Sequence, residues 1–167
     1  MKLSIALLYS LIVLFIACKD PVEPDLTSNV FFNSFESQSD TVGWVRYGGM
    51  AFVAESPPNG GKQSVQVAGG CIVPHALFQF NGPPLGGRVV LQCWGKNLAI
   101  GGAVSLYRVG NDSKRIGISV QDTVWTFKQS NKVLQCQPGD RLAMEMNSGG
   151  FVASSMLIDL LEVKKVD

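Results

Sequence analysis

The chain has 167 residues, with 14 Lys plus Arg against 13 Asp plus Glu and a formal net charge of +1. That balance carries no electrostatic footprint for nucleic acid, so none is expected as a partner. Apolar residues are 46% and charged ones 16%, which excludes a disordered chain and predicts a single core of ordinary size.

Residues 1–17 join a short start carrying Lys2 to an apolar run of 12 residues, Ile5 to Ile16. That length suits the core of an export signal and is too short to span a bilayer. The run ends in Phe15-Ile16-Ala17-Cys18, a small residue directly before a cysteine. This resembles a bacterial lipoprotein signal, with Phe15 where such signals usually carry Leu. The resemblance implies that the Cys18 thiol takes a diacylglyceryl group and becomes the lipidated N-terminus after cleavage. An ordinary secretory signal that happens to end in Cys is the alternative. Loss of Lys2 with the signal would leave 13 cations against the 13 acids.

Residues 18–29 hold Asp20, Glu23 and Asp25 with two prolines, and read as an acidic tether that builds neither strand nor helix. Lys19-Asp20 directly after the cysteine resembles the tag that sends some lipoproteins to the outer face of the outer membrane; a merely solvated linker fits equally. From residue 30 to 167 the chain predicts one all-β domain. Short runs at strand length follow one another: Val30–Phe35, Met50–Glu55, Gln63–Val67, Ala76–Phe80, Arg88–Lys96, Ala103–Val109, Arg115–Val120, Trp125–Gln129, Arg141–Met146 and Ser155–Val163. Ten strands exceed what one open sheet usually holds, so two packed sheets, a β-sandwich, are expected. Alternation supports an inner and an outer face: Val89, Leu91 and Cys93 share one parity, and Gln92, Trp94 and Lys96 the other. Leu142, Met144 and Met146 alternate likewise with Arg141, Ala143 and Glu145.

The order of signals adds a resemblance. Asn33-Ser34-Phe35-Glu36 opens, then come Gly43-Trp44 and Gly61-Lys62-Gln63-Ser64-Val65-Gln66-Val67, and Phe78-Gln79-Phe80 precedes a Gly-rich turn. Asp122-Thr123-Val124-Trp125 opens a later strand, Gly139-Asp140-Arg141-Leu142 another, and Leu157-Ile158-Asp159-Leu160-Leu161 closes. Over residues 30–165 this resembles the jelly roll of carbohydrate-binding modules in the galactose-binding-like superfamily. The resemblance implies a structural calcium ion tying the first strand to the last, with Glu36 and Asp159 among its ligands, although Leu160 stands where a second acid is common. Hydrogen bonding of both carboxylates to turns is the competing reading.

Catalysis has little to work with, and no enzyme is expected. His75 is the only histidine, no Gly-x-Ser-x-Gly or His-Glu-x-x-His occurs, and the acids fall mostly in the tether or in turns. Cys71, Cys93 and Cys136 remain beside Cys18, so at most one bridge could form among them and none is assigned; Cys93 has core parity. Trp44 and Trp125 are expected to pack at the starts of strands. Trp94 and Gln92 share the outward parity, as does Tyr107 beside Val104 and Leu106, and these three make the candidate glycan platform if their strands lie in one sheet. Two functions follow: a non-catalytic surface lipoprotein that binds a glycan, or an accessory lipoprotein that docks onto an outer-membrane protein complex.

Overall fold

Twelve strands and one short 3-10 turn make up the computed structural model, which describes residues 29–46, 49–69, 75–149 and 153–166. The proposed signal, the tether up to Ser28, Cys18 and Cys71 lie outside the described residues; Asn29, expected to end the tether, already pairs in β1. In chain order the strands are β1 (Asn29–Asn33), β2 (Val45–Arg46), β3 (Gly49–Val53), β4 (Ser64–Ala68), β5 (His75–Asn81) and β6 (Gly87–Ala99). They continue with β7 (Gly102–Arg108), β8 (Asn111–Val120), β9 (Thr126–Gln129), β10 (Leu134–Cys136), β11 (Arg141–Asn147) and β12 (Ser155–Val166). All ten expected strands are present. The two additions, β2 and β10, have two and three residues, too short to show alternation.

The strands divide into two sheets, as expected for a jelly-roll sandwich. One has seven strands in the order β10-β6-β12-β4-β3, with β1 beside β12 and β9 beside β6; the other has five, β2-β5-β11-β7-β8. Every strand pair is antiparallel. The core lies between the sheets, where Val89, Leu91 and Cys93 of β6 face Val104 and Leu106 of β7 and Leu142, Met144 and Met146 of β11, all fully buried. Burial of one such large apolar side chain contributes about 1.5–3 kcal/mol. An aromatic group closes one end, with Trp44 5.2 Å from Phe78 and 6.0 Å from Phe35. Trp44 therefore packs as its sequence position suggests.

β12 is central to its sheet, pairing with β1, β4 and β6, and it carries a break in periodicity. Met156 and Ile158 face the core, and so do Leu161 and Val163, which have the opposite parity. A bulge reconciles the two halves: between the pairs Asp159–Trp94 and Glu162–Gln92 the register shifts by one residue, and Leu160 takes a φ of +45°. The bulge leaves Asp159 on the outer side of the sheet.

Candidate functional site

The outer face of the seven-stranded sheet collects the chemistry. Trp94 stands on β6 between Gln92 and Lys96, outward because its neighbours Cys93 and Gly95 point inward. β9 lies alongside with Phe127 opposite Trp94 and Gln129 opposite Gln92. The Trp94 and Phe127 rings meet edge to face at 5.9 Å, and Gln92 Nε2 donates to Gln129 Oε1 at 2.5 Å. Phe127 is 51% exposed, so the pair offers an apolar surface flanked by amides.

The same face is extended by a polar set. Lys96 Nζ lies 2.6 Å from Glu55 Oε1, which also accepts from Trp125 Nε1 at 3.0 Å. Trp125, expected only to pack at the start of a strand, thus lies half-buried on the outer face. Leu157, opposite Lys96, is fully buried beneath this set although it lies outside the core cluster. Sequence reasoning missed Phe127, Gln129 and Glu55. The signal for the first two was available: Trp125, Phe127 and Gln129 alternate with the same period as Lys96, Trp94 and Gln92.

Tyr107 is not part of this face. β7 belongs to the five-stranded sheet, so the condition that placed Tyr107 beside Trp94 is not met, and its ring faces outward on the opposite side of the sandwich. There the Arg115 guanidinium covers it at 4.9 Å from the ring centroid. Burial pushes the Tyr107 hydroxyl above its ordinary pKa, with the Glu145 carboxylate acting in the same direction and Arg115 against it.

Glu36 and Asp159 come to one loop, residues 57–63. Glu36 accepts backbone N–H bonds from Lys62 at 2.9 Å and from Gln63 at 3.3 Å. Asp159 is fully buried; its Oδ1 accepts from Leu160 N at 2.7 Å, and its Oδ2 has no partner. A Cβ on Gly60 would stand 2.7 Å from Asp159 Oδ2, and one on Gly61 2.0 Å from Glu36 Oε1, so both glycines permit the close approach. Burial pushes the Asp159 carboxyl up to about 6; the Leu160 N–H works against this and the Glu36 charge adds to it. The backbone is strained beside both acids, with Phe35 at φ +51° and Leu160 at +45°. No group of three or more His, Cys, Asp and Glu gathers among the described residues, so any further ligands for a cation would have to be backbone oxygens or water.

His75 opens β5, and its side chain lies outside the described ones. Cys93 and Cys136 are buried free thiols.

No family model and no curated protein matches the chain. Solved structures do match. The CBM22-1 xylan-binding domain of Paenibacillus barcinonensis Xyn10C superimposes with a TM-score of 0.58 at 19% identity, over 82% of this chain and 94% of that one. The CBM22-1 and GH10 modules of Clostridium thermocellum Xyn10B, complexed with xylohexaose, give 0.60 at 13% identity, over 83% of this chain and 29% of that longer one. A carbohydrate-binding module of Cellvibrio mixtus lichenase 5A, complexed with cellotriose, gives 0.56 at 14% identity, over 83% of this chain and 99% of that one. The fold is the β-sandwich jelly roll found in carbohydrate-binding modules.

Proposed function

We propose that the protein is a non-catalytic surface lipoprotein that binds a glycan on the outer face of its seven-stranded sheet. The observation that carries this reading is the Trp94–Phe127 pair flanked by Gln92 and Gln129. The face of an exposed aromatic ring covers the C–H face of a pyranose, and neighbouring amides meet its hydroxyls. The fold supports the reading, because three neighbours of the same architecture are sugar-binding modules or contain one. The sequence from Lys2 to Cys18 supports the anchor, and Lys19-Asp20 after it supports a location in the outer membrane.

Glu36 and Asp159 fit a hard cation: both carboxylates come to one loop, and the Asp159 Oδ2 that has no hydrogen-bond partner is an oxygen such an ion could take. Calcium there would be structural, neutralising two acids that otherwise repel.

Trp94→Ala and Phe127→Ala test the platform. Each should abolish retention on a glycan array while lowering the melting temperature by only a few degrees, since both rings lie outside the core. Retention unchanged in both stable variants would end the reading. Loss of a co-purifying membrane protein instead of a glycan would replace it with docking onto a complex, a role for which Trp is an apt anchor.

A further inference from the structure

The sandwich has an open side where β8, the edge of the five-stranded sheet, approaches β10, at the edge of the seven-stranded one. A groove of about 480 Å³ runs between them. Its floor is apolar, Ile116 and Leu134, each 4% exposed. Its walls carry Arg108, Lys114, Arg115 and Lys132 with the amides of Gln135 and Gln137, and no carboxylate lines it among the described residues. In a chain whose charges nearly cancel, four cations in one groove are a marked local excess.

The cations are unequally compensated. Arg108 Nε lies 2.8 Å from Asp140 Oδ2, whereas Arg115 reaches Asp112 and Glu145 only at 4.0 and 3.8 Å. Lys114 and Lys132 are exposed and form no ion pair among the described residues. Arg115 is also held by Tyr107 and by the Asp112 carbonyl, to which its Nε donates at 3.3 Å, so the lining offers the Lys114 and Lys132 ammonium groups and the two neutral amides.

We propose that this groove binds a segment of a carboxylated glycan, with Lys114 and Lys132 holding its carboxylates and Gln135 and Gln137 its hydroxyls. Charged and neutral donors are interspersed, which matches a chain that carries one acid per sugar among several hydroxyls. Single-stranded nucleic acid would need aromatic rings on which bases stack, and the lining has none among the described residues. Duplex nucleic acid would need a cationic stripe longer than this groove. The site extends the glycan reading to a second place on the same chain, on the open side of the sandwich and away from the Trp94 face, so the two can fail separately.

The test is affinity electrophoresis and titration calorimetry of the purified full-length chain in detergent, with polygalacturonate as the probe. Polygalacturonate should retard the wild type, and its affinity should fall several-fold between 50 and 200 mM salt, as about two neutralised anions require. The double substitution Lys114→Gln with Lys132→Gln should weaken binding at least tenfold at unchanged melting temperature, while Trp94→Ala should leave it intact. The single substitutions serve if the double variant does not fold. The proposal is overturned if polygalacturonate does not retard the wild type, or if the double variant binds as well as the wild type does. Tighter binding to phosphatidylglycerol vesicles or to oligodeoxythymidylate than to polygalacturonate also overturns it. Loss of polygalacturonate binding in Trp94→Ala would assign that binding to the outer face instead.

Discussion

At Cys93 the inward parity of a single residue decides its chemistry. The side chain is fully buried between the sheets, and burial pushes its thiol up to about 12, with the Lys128 ammonium acting the other way. Cys136 is pushed up to about 11 by burial, with the Asp140 charge adding. At pH 8 the Cys93 side chain is then held as the thiol, and the thiolate is the species that reacts. Iodoacetamide at pH 8 should therefore leave Cys93 and Cys136 unmodified in the folded protein, and modify them in denaturant, as read by peptide mass spectrometry. Fast modification of Cys93 without denaturant would place it outside the core. Parity made Cys93 and Trp94 legible in the sequence, since adjacent residues of one strand must face opposite ways. Parity could not show which sheet Tyr107 joins, because alternation is a property of one strand and sheet membership arises from long-range pairing.

At the scale of elements, the loop of residues 57–63 joins the end of β1 to the β12 bulge through Glu36 and Asp159. Gly61→Ala would drive a methyl group into the Glu36 carboxylate, and overpacking of this kind costs about 1–3 kcal/mol. If the two acids hold calcium, an ion bound only by the folded state stabilises it by about 2.7 kcal/mol at a hundred times its dissociation constant. A calorimetric scan should then show a higher melting temperature with calcium than with chelator, and no such rise in Glu36→Gln or Asp159→Asn. Equal melting temperatures in calcium and chelator would remove the ion from the account. The boundaries of β3, β4, β7 and β11 were legible within about one to two residues, because Gly, Pro and charged residues punctuate them. The bulge in β12 was not foreseen. Ile158, Asp159, Leu160 and Leu161 read as one run with three apolar members, and only the pairing with β6 shows where the parity changes.

For the whole molecule, the order of strands separates three surfaces: the outer face bearing Trp94, the opposite face bearing Tyr107, and the open side bearing the cationic groove. A surface lipoprotein would present these beyond a tether of about a dozen residues, which reaches at most about 40 Å when fully extended. Metabolic labelling with an alkyne fatty acid should tag the wild-type protein and fail in Cys18→Ala. A label that survives the substitution would move the attachment elsewhere, or leave the chain secreted with an ordinary signal.

The pairing of β1 with β12 also gives the domain a mechanical direction. Asn29 lies opposite Lys164 and Asn33 opposite Leu161, while Asp159, further along the same strand, lies opposite Trp94. Tension between residues preceding Asn29 and a ligand held at Trp94 would draw β1 lengthwise along β12. The hydrogen bonds of that ladder run across the strands and would share such a load together. Tension between Asn29 and Val166, which lie at the same end of the pair, would instead peel the ladder one bond at a time. If the domain is anchored through the residues before β1 and holds its ligand at Trp94, it would be pulled in shear, with the β1–β12 hydrogen bonds loaded together.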